Sequence, residues 1–242
     1  MKKRLIKLIS PLKARSRYKS NLNFKYHINE RFFWMKEFIN EKKYIIEIGS
    51  GNGLSKKILG KNIITTDIFK KNWLDLTIDM NEMKLPKKYV NNVDIFIFNH
   101  SLHHSSNPFI VLNKIKKYLK KNGMVLINDP EISFFFKFFL KICNHEMWTF
   151  KKNIWKDNNA TAHILFHNKK INSFFLKDYL IKKNDLNEFL IFLNSGGNGV
   201  ESPYLPLSNI FLKLLKKIDK FLVFILPGIF ALNRSVVLKK IT

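Results

Sequence analysis

The stretch EIGSGNG, Glu47 to Gly53, sets an acid and three glycines between an apolar run and a short helical segment. Glycines at 49, 51 and 53 let backbone approach a ligand closely and turn with positive φ. Such a turn can hold a pyrophosphate at a helix N-terminus, as dinucleotide sites do. Two features point elsewhere. Glu47 stands just before the turn, and a carboxylate facing the ligand crevice repels a pyrophosphate and attracts an ammonium. The spacing G-x-G-x-G also differs from G-x-G-x-x-G. A ligand with an amino-acid end and an adenosine end fits both features. Asp67 closes the next β-branched run, where a carboxylate can accept two hydroxyl donors. His100, His103, His104 and His145 are candidates for a general base, because neutral imidazole can take a proton near pH 7. His145 and Glu146, in Asn144 to Trp148, could form a base, hydrogen-bond a polyol, or make a plain loop contact. His163 and His167 are four apart with no acid at a supporting spacing, so they read as fold residues, and no metal site is expected.

These residues need elements to hold them. Tyr44 to Ile48 is a near-continuous apolar run that suits a buried parallel strand. A short helix over Leu54 to Leu59 follows, with Gly60 as its stop. Asn62 to Asp67 predicts a second strand, Trp73 to Ile78 a weaker third, and Val93 to Phe98 a fourth that ends at Asn99. Asn107-Pro108 starts a helix, with Asn122-Gly123 as its terminator. Met124 to Ile127 predicts a fifth strand, closed by Asp129-Pro130. Strand and helix alternating in this way indicate a parallel sheet with right-handed crossovers. Before this lies an N-terminal segment, residues 1–40, read as a lid or packing arm with a short helix around Phe32 to Phe38. Ile132 to Ile142 reads as helical, Cys143 to Asn159 as a loop over the site, and Gly196 to Pro206 as a loop. Leu207 to Ile225 has strict helical spacing, with Lys213, Lys216, Lys217 and Lys220 away from the apolar side. It is expected to pack on the sheet as the crossover helix to a last strand, Ser235 to Lys240, although such a helix can also lie in a membrane interface.

In this order the motifs resemble the class I S-adenosylmethionine-dependent methyltransferases of the type 11-like group, over roughly residues 40 to 130. EIGSGNG is similar to that family's first motif, Asp67 to its ribose-binding acid, and IDMNEMKLP (Ile78 to Pro86) to the stretch after its third strand. VDIFIFNHSLHHSSNP resembles its fourth strand and following turn, and LKKNGMVLINDP its fifth-strand region. The resemblance implies a Rossmann-like α/β sheet of seven strands, mostly parallel with an antiparallel C-terminal strand and helices on both faces. It implies a methyltransferase domain over 41–242, with substrate-side elements in 131–206. It implies S-adenosyl-L-methionine as cofactor, held by Glu47, Gly49, Ser50, Gly51, Gly53 and Asp67, with Asp79 accepting from the adenine amino group, Met80 packed on the ring and Asn99 nearby. His145, His103 and His104 are the catalytic candidates. The HH pair follows the fourth strand in family members with different substrates, which leaves a packing or cofactor-side role open for it. The second half is more loosely similar to a subgroup found with bacterial surface-polysaccharide biosynthesis enzymes. That implies O-methylation of a sugar, nucleotide-sugar or lipid-linked glycan.

Composition bounds the rest. The 242 residues carry 43 Lys+Arg against 18 Asp+Glu, a formal charge of +25, with 46% hydrophobic residues. That apolar content excludes disorder throughout, and Cys143, standing alone, excludes a disulfide scaffold. The basic balance fits compositional drift, an anionic membrane surface or nucleic acid, so RNA methylation is the alternative function, beside a noncatalytic membrane-associated S-adenosylmethionine-binding protein. No added RNA-binding module is visible, and nucleic acid is the less expected partner. No window of about 18 uncharged apolar residues occurs, and no signal-peptide pattern follows MKKRLIKLIS. A cytoplasmic location is expected, with peripheral contact to the inner face of the membrane as a candidate.

Overall fold

The computed structural model describes residues 9–40, 42–143, 147–151, 154–167 and 177–241. Among these, β1 (Ile45–Ile48), β2 (Ile63–Asp67), β3 (Leu76–Thr77), β4 (Val93–Asn99), β5 (Leu119–Pro130), β6 (Tyr179–Asn187) and β7 (Asn233–Lys240) form one sheet. Its order is β3-β2-β1-β4-β5-β7-β6. Neighbours from β3 through to β5 are parallel, whereas β7 runs antiparallel to both β5 and β6. This is the mixed seven-stranded sheet that the family resemblance implies. The strand order reverses beside β1, between β2 on one side and β4 on the other. In an open α/β sheet, ligands bind at the carboxyl ends of the strands flanking such a reversal.

The helices are α1 (Pro11–Ser20), α2 (Leu22–Phe33), α3 (Lys36–Ile39), α4 (Ser55–Leu59), α5 (Pro108–Ile115), α6 (Phe134–Cys143), α7 (Thr161–His167), α8 (Leu190–Leu193), α9 (Asn209–Ile225) and α10 (Pro227–Phe230). Successive side chains on a strand point to opposite faces, and that alternation sorts the core into two layers. Ile45, Ile63, Ile95, Ile97 and Val237 pack with Phe24, Ile28 and Phe32 of α2. Ile46, Ile48, Phe96, Phe98 and Val125 pack with Val111, Leu112 and Ile115 of α5 and Phe136 of α6. The N-terminal segment therefore supplies most of the helical side of one core layer, with Leu54 and Ile58 completing it. Where the sequence predicts one short helix around Phe32 to Phe38, three helices occupy Pro11 to Ile39, interrupted at Trp34 and Met35. Asn21 starts α2 by accepting from the Phe24 amide, the usual role of a helix-capping asparagine.

Three other elements differ from the sequence reading. The strand expected over Met124 to Ile127 is β5, twelve residues long. Asn122-Gly123 lies inside it, with Asn122 at φ 62°, and does not end the preceding helix, which stops at Ile115. β6 has no apolar run because it is an edge strand whose residues are mostly half-buried or exposed; lysines suit such an edge. α9 does not turn its apolar side to the sheet. Only Leu212, Asp219 and Val223 are buried, and Ile210, Phe211, Leu214 and Phe221 are exposed.

A buried charged pair ties the N-terminal arm to the residue that follows β6. Arg31 of α2 meets Glu188 in a two-pronged contact, with Nε donating at 2.9 Å to Oε1 and Nη2 at 2.9 Å to Oε2. Breaking such a pair strands a buried charge, at a cost of about 3–5 kcal/mol. Beside it His27 is wholly buried, edge-on to Phe192, with neither ring nitrogen hydrogen-bonded. Burial first, then the Arg31 charge, hold His27 well below the ordinary histidine pKa. The unfolded chain takes a proton on this residue near pH 6.5, and the folded chain does so only at lower pH. His27 therefore costs stability as pH falls below about 6.5, by up to about 1.4 kcal/mol per pH unit. His27→Leu is expected to be at least as stable near neutral pH and to lose less stability on acidification to about pH 5.5 in urea melts. Equal losses in variant and parent would contradict this.

Candidate active site

The glycine turn is built by contacts that leave no room for a side chain at Gly49. A Cβ at Gly49 would lie 2.6 Å from Cβ of Ser101, and Gly49 has φ +72°. That close approach lets the Ser101 hydroxyl donate to the Ile48 carbonyl at 2.7 Å. The Ser50 amide donates to the Thr66 carbonyl at 2.7 Å, and the Thr66 amide to the Ser50 hydroxyl at 3.1 Å. The Gly51 amide donates to Asp67 Oδ2 at 2.9 Å, and Trp73 Nε1 to the Gly51 carbonyl at 3.2 Å. The turn after β1 is thus stitched to the end of β2 and to the turn after β4.

Above it lies a cavity of about 500 Å³. Gly49, Gly51, Asp67, Asp79, Met80 and Ser101 line it, together with His100, His103 and His104. Arg31, Asn159, Asn198, Phe139 and Phe192 also line it, as do Ile9, Pro11 and Ala14 of the N-terminal arm. The arm is held there by the Ile9 amide donating to the Gly199 carbonyl at 2.7 Å, and by Arg15 and Arg17 donating to the carbonyls of Asn52 and Gly196, each at 2.8 Å.

The predicted residues separate into two groups. Gly49, Gly51, Asp67, Asp79, Met80, His103 and His104 converge on this one cavity. Glu47, Ser50, Gly53 and Asn99 do not line it. Glu47 was expected to face the crevice, but on β1 it shares a face with Ile45 and points beneath the turn. It is 2% exposed and takes a short hydrogen bond from the Ser55 hydroxyl at the start of α4. Burial pushes its carboxyl above the ordinary range. Asn99 accepts from Asn128 Nδ2 at 2.9 Å, across the β4–β5 pairing. Gly53 packs against Trp73 and Leu74. His145 and Glu146 lie outside the described residues.

Asp67 and Asp79 are held differently. Asp67 accepts from the Gly51 and Phe69 amides and pairs with Lys71 at 3.1 Å. Asp79 offers Oδ1 to the Asn81 amide at 2.8 Å and to its side-chain nitrogen at 3.0 Å, which fixes the carboxylate plane. The histidines also differ. His103 is 3% exposed, and its Nδ1 is 3.0 Å from Asp129 Oδ1, while Oδ2 accepts the His103 backbone amide at 2.9 Å. His104 Nδ1 meets Asp157 at 2.9 Å at the exposed rim. His100 has φ 52° and a buried Nε2 with no hydrogen-bond partner. Burial, then the neighbouring Arg31, keep it well below the ordinary histidine pKa, so it is neutral.

Asp129, Arg31 and Ser101 are site residues that the sequence reading did not single out. Asp129 had a usable signal: it ends a strand parallel to β4, as Asn99 does, so both carboxyl ends open on one crevice. Arg31 had none, because it comes from the N-terminal arm. His163, read as a fold residue, hydrogen-bonds Glu131, which also accepts from Arg234 Nε at 2.6 Å. Burial alone would raise the Glu131 pKa, but these two partners hold it below the ordinary value. No group of ligands that could hold a metal ion occurs among the described residues.

A sequence-family model described as a methyltransferase domain matches residues 75–195, half of the chain. The chain belongs to this family. Solved methyltransferases share its fold. One from Archaeoglobus fulgidus, described as SAM dependent, is 14% identical over 93% of this chain and 98% of its own, with a TM-score of 0.56. The plantazolicin methyltransferase in complex with SAH is 15% identical over 94% of this chain and 89% of its own, with a TM-score of 0.52. The same enzyme with a monoazolic desmethylPZN analog and SAH gives 17% identity, 95% and 89% coverage, and a TM-score of 0.50. No curated protein matches. S-adenosylmethionine is the donor that the motif resemblance implies for this methyltransferase.

The matched segment begins after the glycine turn, so the turn's fit to that donor has to be judged on its own geometry. A Cβ at Gly51 would meet nothing within 4 Å. It would project into open space beside Asp67, which a ligand can take. Two strand-end carboxylates, a thioether and a bare backbone turn share that space, a donor set suited to hydroxyls, an amino group and a flat ring. Gly49→Ala is expected to destabilise the methyltransferase by about 1–3 kcal/mol, through collision with Ser101. Gly51→Ala should cost only the about 1–2 kcal/mol of left-handed backbone strain, yet weaken S-adenosylmethionine binding roughly tenfold or more in calorimetry. Unchanged affinity in Gly51→Ala would contradict this placement.

Proposed function

We propose that this methyltransferase O-methylates a sugar hydroxyl, on a small or lipid-linked acceptor of surface-glycan synthesis. The observation that carries the reading is the His103–Asp129 pair, set in the wall of the same cavity as the glycine turn. In this reading Asp129 accepts both the His103 amide and an Nδ1 proton, the tautomer that puts the imidazole lone pair on Nε2. A hydroxyl acceptor needs such a base, because it must lose its proton as it is alkylated. His104 is paired with Asp157 in the same manner but stands in solvent at the rim. We assign the role of base to His103, and that of positioning residue to Asp129.

Bound S-adenosylmethionine supplies a methyl group already activated on a sulfonium. The chain has only to hold, align and deprotonate. In this reading the turn at Gly49 and Gly51 receives the amino-acid end. Asp67 accepts the ribose hydroxyls, with Lys71 offsetting its charge. Asp79, its plane fixed by Asn81, accepts from the adenine amino group, and Met80 covers the ring. The same cavity is also lined by Asn159, Asn198, Phe139 and Phe192. Carboxamides hydrogen-bond hydroxyls while aromatic faces meet the C–H side of a pyranose, and that mixture supports a sugar.

Two measurements test the reading. Labelled S-adenosylmethionine is incubated with the protein and with nucleotide sugars, polar lipids and RNA in separate fractions; label is expected in a sugar-bearing fraction. Label in RNA alone would overturn the acceptor class. With that acceptor, His103→Ala and Asp129→Asn should each lower kcat by about a hundredfold or more while sparing donor affinity. The Asp129 variant should also shift the pH profile of kcat, because the imidazole loses its charged partner. Normal turnover in both variants would remove His103 as base.

A further inference from the structure

α9 is amphipathic, yet it presents its apolar side to solvent. Ile210, Leu214, Ile218, Phe221 and Ile225 share one face by helical spacing, and all are exposed, from 43% at Ile218 to 78% at Ile210. The opposite face, Leu212, Asp219 and Val223, is the one that meets the rest of the protein. Lys213, Lys217 and Lys220 run along one border of the apolar face and are exposed. Asp219 is the only acid of α9, and it is buried, accepting the Leu190 amide. The outward half of the helix therefore carries apolar groups and cations, and no anion.

We propose that α9 docks the protein on an anionic lipid bilayer, lying in the plane of the headgroups with Phe221 and its neighbours among the acyl chains and Lys213, Lys217 and Lys220 on lipid phosphates. Charge selects this occupant. A second copy of the chain would bring the same three lysines against these, in a protein of net charge +25, and like charges disfavour that pairing. An anionic bilayer offers apolar depth and negative charge together. No helix among the described residues is long and apolar enough to cross a membrane, so the contact is one of lying on the surface.

The placement also deepens the acceptor reading, on which this part rests. Beyond α9 the chain enters α10, where Phe230 stacks on Phe135 of α6 with ring centroids 5.6 Å apart. α6 has two apolar sides. Phe136, Phe139 and Leu140 line the cavity, whereas Phe134, Phe138 and Ile142 are exposed. A single helix thus carries both cavity-lining residues and a second exposed apolar patch, and α10 links that helix to the docking helix, so an acceptor on a lipid carrier would arrive on this side.

The test is co-sedimentation of the full chain with vesicles of phosphatidylcholine alone, and of phosphatidylcholine and phosphatidylglycerol in equal parts. Saturable binding to the anionic vesicles is expected, with little to the neutral ones. Ile218→Ser with Phe221→Ser leaves net charge unchanged and should weaken partitioning roughly tenfold or more. Lys213→Gln, Lys217→Gln and Lys220→Gln together should weaken it roughly a hundredfold. Both variants should bind S-adenosylmethionine as the parent does, which establishes that they are folded. Absence of binding to anionic vesicles at low salt would overturn the proposal. So would parental binding by the serine variant, which would mark general attraction of a basic protein. A dimer in light scattering that the serine substitutions split would assign the face to a second copy. None of these outcomes alters the transfer assay with soluble acceptors, so failure here is distinguishable from failure of the acceptor reading.

Discussion

The hydrogen bond from the Gly51 amide to Asp67 joins two strand ends that the chain reaches 16 residues apart. It fixes where backbone, carboxylate and open space meet. Ser50 and Thr66 hold the same junction from below, and Ser101 holds it from the β4 side. The left-handed backbone at Gly49 and Gly51 is what permits these bonds, since a side chain at Gly49 would collide with Ser101. The crevice at the strand reversal is therefore a constrained shape rather than a loose loop, and the residues that line it can be assigned chemistry.

Much of this was legible in the sequence because parallel strands buried on both faces leave unbroken apolar runs. IIEI, IITT and VDIFIF could be placed, and with them the acids and glycines at their carboxyl ends. What failed did so for identifiable reasons. Glu47 was assigned to the crevice from its adjacency to the turn, but strand alternation sends it to the Ile45 face, beneath α4. Asn99 was expected at the cofactor, and cross-strand pairing with Asn128 claims it instead. β6 was missed because an edge strand is spared the need for an apolar face. The N-terminal arm hid both much of a core layer and Arg31, because a contact between Arg31 and Glu188 spans a sequence separation of 157 residues, which no local pattern records.

α9 shows the opposite limit. Periodicity correctly marks it as amphipathic, and the economical inference is that the apolar side faces the core. Yet Asp219 and two aliphatic residues face inward, and Phe221, Ile218 and Leu214 face outward. Periodicity reports that a helix has two sides; only packing reports which side the protein has left for something else. The basic charge then acquires a location, because three lysines border the very face that is exposed. The family match and the shared fold account for the methyltransferase, whereas the acceptor and the membrane contact are argued from the cavity lining and this outer face.

The most direct test of the central claim, that three strand ends form one donor site, is an NMR titration of the folded protein with S-adenosylhomocysteine, observing the methionine methyl groups. Saturable binding, with cross-peaks between the adenine protons and the Met80 methyl group, is the predicted result. Absence of binding, or binding that leaves the Met80 methyl resonance unmoved, would contradict it.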